Sequence, residues 1–192
     1  MKTFIIAAKL IIVMTVVTGV LYPMIMLGAA QALFPHQANG SLTYSGGKLI
    51  GSELIAQEFA DSSYFCPRPS GIGYNPQPSS GTNLGPTSKA LLEQITSRRA
   101  LLTEANGGAQ PPDDLLLASG SGLDPHISPE AARYQIDRVA RVRGLSSEKL
   151  AQLQQLVEMR VEPYSFGFIG QPRVNVFLLN LAVDSLFLSV RK

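Results

Sequence analysis

Ser119, Ser121, Asp124 and His126 fall within the short stretch "ASGSGLDPH", residues 118–126. A hydroxyl, a carboxylate and an imidazole are the ingredients of a hydrolytic triad, and a Gly-Ser turn can also cradle phosphate. Neither reading suits the spacing. The stretch lacks the G-x-S-x-G elbow, and triad members must converge in space instead of sitting side by side in one loop. It also lacks the lysine and the glycine spacing of a P-loop. Asp124 and Ser128 bonding to local backbone account for the composition without chemistry. No catalytic residue is assigned.

The residues that follow must set the position of this loop. Ser128-Pro129-Glu130 has the form of a helix start: a capping hydroxyl, a proline at the first helical position and an acid at the positive end. Ile136, Val139 and Val142 carry that helix to Gly144. A second begins at Ser146, with Leu145 placed to staple against Leu150, and Leu150, Leu153, Leu156 and Val157 form its apolar face. Arg133, Arg138, Arg141 and Arg143 lie on several faces of the first helix. Most of them are expected in solvent, with Arg138 or Arg143 free to meet a partner's carboxylate.

Upstream, "SLTYSGGKLIGSELIAQEF" predicts a strand or strand pair and then a short helix at Leu54, Ile55 and Phe59, with Gln57 on it. Residues 64–86 hold five prolines and four glycines, so regular structure is not expected there. Such a loop is a binding surface if ordered, offering Arg68, Ser70, Tyr74 and Asn83, or a solvated linker if not. Ala90, Leu91, Ile95 and Leu102 mark an amphipathic helix ending before "NGG". At the C-terminal end, "QPRVNVFLLNLAVD" predicts a strand or helix entry near Asn175 and then a buried closing helix through Leu178, Leu179, Leu181 and Val183. Arg173, Asn175, Asn180 and Asp184 interrupt it too often for a second membrane span.

Residues 10–33 contain no ionisable side chain except the Tyr22 phenol, and the run is long enough for a helix to cross a bilayer. Lys2 and Lys9 flank one side, and the next basic residue is Lys48, which places the N-terminus in the cytoplasm and residues 34–192 outside. The competing reading is a cleaved signal peptide, for which "AQA" at 30–32 fits the small-x-small pattern; the apolar run is longer than a signal core. Thr15 with Gly19, and Gly28 with Ala32, have the spacing that lets another helix approach, although such spacings also arise by chance. Pro23 removes a helical hydrogen bond and should kink the span. The resulting division is a cytoplasmic segment 1–9, a transmembrane helix 10–33 and one extracytoplasmic α/β (α+β) domain 34–192.

All 14 acidic residues and all but two of the basic ones follow residue 33, so the body is formally neutral. That gives no electrostatic basis for binding nucleic acid. Cys66 is the sole cysteine. An internal disulfide is therefore impossible, and no neighbouring His or second thiol has metal-ligand spacing.

With these segments placed, the chain resembles the C subunit of the bacterial Kdp potassium-transporting ATPase. The resemblance rests on the single span together with "GSELIAQEF" (51–59), "RPS" (68–70), "SGTNLGPTS" (80–88), "ASGSGLDPHISPEAA" (118–132), "RVARVRG" (138–144) and "QPRVNVFLLNLAVD" (171–184). Cys66-Pro67 and Ser88-Lys89 depart from the family pattern, which concerns local loop shape only. The resemblance implies a non-catalytic accessory subunit in the inner membrane, working beside a potassium-channel-like subunit and an ATP-hydrolysing P-type subunit. ATP and potassium belong to that whole complex, with no cofactor assigned to this chain. It further implies a catalytic-chaperone role that raises the ATP affinity of the hydrolysing subunit. Two mechanisms follow. An outer domain over the potassium entrance would stabilise assembly or filter access and affect ATP through conformational coupling alone. A cytoplasmic domain would instead touch nucleotide through Gln57, Ser119, Ser121 and Arg138.

Overall fold

A computed structural model describes residues 1–187, and the last five positions of the expected 34–192 domain lie outside the described residues. The chain forms two compact units that divide between Ser52 and Glu53.

In the first unit one apolar helical rod runs from Lys2 to Leu33, 32 residues. It comprises α1 (Lys2–Val16), a π-helical turn (Val17–Leu21) and α2 (Tyr22–Leu33). Residues 10–33 alone give about 36 Å of helix at 1.5 Å per residue, enough for the hydrocarbon core. Only a helix satisfies every backbone group within such a segment, and the Thr18 hydroxyl donates back to the Met14 carbonyl at 2.7 Å. The π turn sits just before Pro23, where the Tyr22 amide reaches the Val17 carbonyl. The proline has no N–H for the Gly19 carbonyl and its ring crowds that oxygen, so the ladder widens by one residue. A short turn, α3 (Pro35–Ala38), follows. Strands β1 (Leu42–Ser45) and β2 (Lys48–Ser52) then pair antiparallel across Gly46-Gly47. Both glycines have positive φ, as the tight two-residue hairpin turn requires. This hairpin groups with the apolar helix, not with the residues that follow.

The second unit is a mixed helix and sheet body. After α4 (Lys89–Ala105) and the single turn α5 (Asp113–Leu116) come β3 (His126–Ile127), α6 (Pro129–Val142), α7 (Ser147–Met159), β4 (Val161–Glu162), β5 (Arg173–Asn175) and α8 (Val176–Phe187). The sheet is antiparallel in the order β3-β5-β4. Its central strand supplies Val174 to a core built from Ala132, Ile136 and Val139 of α6, Leu153 and Val157 of α7, and Leu179 and Val183 of α8. Helix starts follow the sequence: the Ser128 Oγ accepts from the Ala131 amide, and Ser146 from Lys149. Leu145 and Leu150 both pack at the margin of the core. Asn175 caps α8 by accepting from the Leu178 amide at 3.1 Å. α4 turns Leu91, Ile95 and Leu102 partly inward, while its exposed side carries Leu92 and Leu101. Tyr134 and Arg141 of α6 donate to its last carbonyls, those of Leu102 and Ala105.

Residues 53–88 contain no helix or strand. The short helix expected at Leu54, Ile55 and Phe59 is not formed. Its place is taken by long-range bonding: the Ala56 amide donates to the Leu123 carbonyl at 2.9 Å, which fixes the chain against the 119–124 loop instead of against itself.

The glycines of the Gly-Ser stretch answer to a different neighbour, residues 71–82. A Cβ on Gly122, whose φ is +70°, would stand 2.6 Å from the Ile72 side chain and 2.8 Å from the Ser80 carbonyl. A Cβ on Gly81 would meet the Gly120 carbonyl at 2.8 Å, whereas one on Gly120 would meet nothing within 4 Å. The glycines let two loops lie backbone to backbone. Gly122→Ala is therefore expected to destabilise the detergent-solubilised chain by about 1–3 kcal/mol. Gly120→Ala should stay within about 0.5 kcal/mol. Equal denaturation midpoints for the two variants would contradict this packing.

Candidate functional site

The irregular segment is held by side chains reaching up from α6 and α8. Gln135 and Asn180 are both buried. The Asn180 amide accepts from the Phe65 N–H at 2.8 Å and donates to the Phe65 carbonyl at 2.9 Å. Gln135 does the same for Cys66, at 2.8 and 3.1 Å. Each side-chain amide thus substitutes for a neighbouring strand, satisfying the donor and the acceptor of one residue, buried Phe65 or half-buried Cys66. Arg138 completes the clamp. Its guanidinium donates to the Ser62 and Tyr64 carbonyls and to the Gln135 Oε1. Arg143 donates to the Ser63 carbonyl and to Asp184 and lies 4.9 Å over the Tyr64 ring. Arg138 and Arg143, offered by the sequence to a partner's carboxylate, are therefore engaged within the chain, because the unladdered backbone opposite them needs donors; Arg133 pairs with Glu158 and Arg141 with the Ala105 carbonyl.

Burial pushes the Cys66 thiol up, against the opposing charge of Arg138. The Tyr74 phenol is raised to about 12, chiefly by burial. Its hydroxyl donates to the Arg68 carbonyl at 3.0 Å.

Two clefts flank this clamp. One, of about 520 Å³, is lined by Asp61, Tyr64, Arg143, Lys149, Asp184 and Phe187 among others. The second, of about 420 Å³, brings together the sequence candidates Arg68, Asp124 and His126 with Asp114, Ser128 and Arg173. There Asp124 receives Arg68 at 3.4 Å, the His126 amide at 3.0 Å and the His126 Nδ1 at 3.4 Å. Burial alone would raise the Asp124 carboxyl; the hydrogen bonds from His126 and the Arg68 charge outweigh it and hold the group below the usual carboxylate range. The buried Arg68 Nε finds no acceptor among the described residues. This cleft offers two guanidinium groups, each already beside a carboxylate, since Arg173 meets Glu162 at 2.9 Å. It can exchange hydrogen bonds with a polar surface.

The serines of the 119–128 stretch serve the local fold. Ser119 is buried, the Ser121 hydroxyl accepts from the Leu123 amide, and Ser128 is occupied as a helix cap. Among the described residues no cluster of three His, Cys, Asp or Glu side chains is arranged to hold a metal ion.

The other sequence candidates lie apart. Gln57 is half-buried in the irregular segment. The Ser70 Oγ accepts from the Ile72 and Tyr74 amides and closes a local turn. Asn83 is exposed with φ +54° and donates to Ser80. Asn175 donates to the Glu53 carbonyl at 2.8 Å. In the first unit Thr15, Gly19, Pro23, Gly28 and Ala32 are exposed, and Gly19 and Gly28 have open space beside them. Sequence reasoning missed Gln135 and overlooked Asn180 as anything but an interruption. A polar amide on the apolar face of an amphipathic helix was the available signal.

Two outcomes are expected. Gln135→Leu keeps the volume but leaves the Cys66 N–H and C=O unpaired, costing about 2–4 kcal/mol; thiol-reagent kinetics should show Cys66 reacting faster than in the parent chain. As for pH, a carboxyl whose folded pKa is depressed contributes stability that is present above its unfolded pKa of about 3.9 and lost as pH falls through the folded value. Asp124→Asn should therefore flatten the decline of the thermal midpoint below about pH 4. An unchanged acid limb would remove Asp124 from the stabilising network.

Comparison with known proteins agrees with this arrangement of segments. The family model described as "K+-transporting ATPase, c chain" matches residues 4–185. The chain is 52% identical over 185 residues to the potassium-transporting ATPase KdpC subunit of Methylococcus capsulatus, covering 94% of this chain and 96% of that one. It is 49% identical to the KdpC subunit of Rhodospirillum rubrum, with 94% of each chain covered. For Myxococcus xanthus the identity is 48%, covering 97% of this chain and 89% of the relative. An N-terminal helix long and apolar enough to cross a membrane, a family match across residues 4–185 and identity of this extent place the chain in the KdpC family, the c chain of potassium-transporting ATPases.

Proposed function

We propose that this chain is the accessory c subunit of an ATP-driven potassium-uptake complex, anchored by Lys2–Leu33 in the bacterial inner membrane, with residues 34–192 outside. The observation that carries the subunit assignment is the family match across residues 4–185. Its partners in this reading are a potassium-channel-like subunit and an ATP-hydrolysing P-type subunit. The outer body stands over the potassium entrance and stabilises assembly there. Its effect on ATP affinity, the catalytic-chaperone role implied by the resemblance, passes by conformational coupling through the complex.

The sidedness rests on the charges around the span. Lys2 and Lys9 lie on one side, and the next basic residue is Lys48. The alternative, direct nucleotide contact, needs Ser119 and Arg138 available. Both are buried, and Arg138 is engaged by carbonyls of its own chain.

A thiol probe decides sidedness. Cys66 suits it poorly because its thiol is partly buried and raised in pKa. Leu101 on α4 is 64% exposed. Leu101→Cys in a Cys66→Ser background should react with a membrane-impermeant maleimide in intact spheroplasts. Reaction only after permeabilisation would invert the topology and bring direct nucleotide contact forward. Deleting the chain from the co-expressed complex should abolish potassium-stimulated ATP hydrolysis at micromolar potassium; full activity without it would overturn the accessory role.

A further inference from the structure

Between β4 and β5 the chain turns through "PYSFGFIGQP", residues 163–172, and presents its largest apolar side chains to solvent. Phe166 is 90% exposed and Phe168 79%, with Ile169 and Tyr164 exposed beside them. The tip is nevertheless built. The Ser165 and Ile169 backbones exchange two hydrogen bonds of 2.9 Å, and the Gly167 amide donates to the Tyr164 carbonyl at 3.0 Å. At the base, Glu162 and Arg173 pair in register and form an ion pair at 2.9 Å. Phe166 is held at φ +55°, a conformation that costs energy for a bulky residue.

We propose that this aromatic tip is an anchor that docks into an apolar pocket on another subunit of the complex. The inference rests on the subunit reading above. Three arguments select that occupant. First, preorganisation: a tip fixed by its own hydrogen bonds, with a strained phenylalanine at its apex, suits a shaped receptor, since rigidity lowers the entropy lost on docking. A fluid bilayer asks for no such shape. Second, charge: residues 163–172 carry none, and Arg173 at their C-terminal edge is engaged by Glu162, so the tip itself brings no cation to anionic headgroups. Third, area: a large aromatic side chain buries roughly 150–250 Å². Phe166, Phe168 and Ile169 together fall short of the roughly 800 Å² per partner that a stable two-copy interface needs. The tip is sufficient as a second contact for a body whose apolar helix already confines it to the partner's membrane, where effective concentration replaces area.

The test uses the full chain co-expressed with the channel-like and ATP-hydrolysing subunits and purified as a complex. With benzoylphenylalanine at position 166, illumination should join this chain to one of those subunits, identified by mass. The double variant Phe166→Ser, Phe168→Ser should leave the complex about tenfold faster on dilution, with the thermal midpoint of the isolated chain unchanged. Cross-linking to lipid or to a second copy, or none in a complex that retains the chain, overturns the anchor alone. Absence of the unsubstituted chain from the purified complex overturns the subunit reading as well.

Discussion

A buried backbone without a strand beside it must find donors and acceptors elsewhere, and most of the second unit is arranged around that requirement. Phe65, buried, and Cys66, half-buried, have no ladder partner. Gln135 and Asn180, from helices far apart in sequence, each give one amide to one residue and satisfy both of its backbone groups. Leaving such groups unpaired would cost several times what a typical hydrogen bond contributes. The positions of α6 and α8 and the course of the proline-rich segment are therefore mutually dependent.

Arg138 and Arg143 extend the same logic. Each guanidinium carries five donors in a fixed fork, suited to several carbonyls presented by an irregular chain. A lysine could not span the Ser62, Tyr64 and Gln135 oxygens in this way. The Gly-Ser loop is a second consequence: once the 62–66 segment is pinned, residues 69–82 pass against 119–122 so closely that Gly81 and Gly122 leave no room for a Cβ. A stretch that reads as chemical in one dimension is a packing surface in three.

The same arrangement separates what is held from what is offered. Polar side chains inside the body are turned toward its own backbone, and the Arg68–Asp124–His126 cleft is nearly charge-balanced. The β4–β5 tip is the opposite case, with apolar side chains presented outward on a rigid base. In the proposed accessory role both have a use: an internally bonded body, and a projecting feature that fits something else.

Local sequence determined a good deal. The apolar span, the caps at Ser128 and Ser146, the amphipathic α6 and α7, the lack of regular structure at 64–86 and the closing helix after Asn175 are each fixed by composition, periodicity or capping within a few residues. The ordered motifs, taken together, carried the family as well. Tertiary structure decided the rest. The helix expected at Leu54 gave way because the Ala56 amide is satisfied by Leu123, a partner no local pattern reveals. Arg138 and Val142 exchanged their expected environments, the arginine buried and the valine exposed, because an unladdered segment lies opposite one face of α6. The Arg68–Asp124–His126 cleft combines residues from separate loops. Hydrogen-bond donors and acceptors can be counted in a sequence, but which of them meet is fixed only when distant segments share one interior.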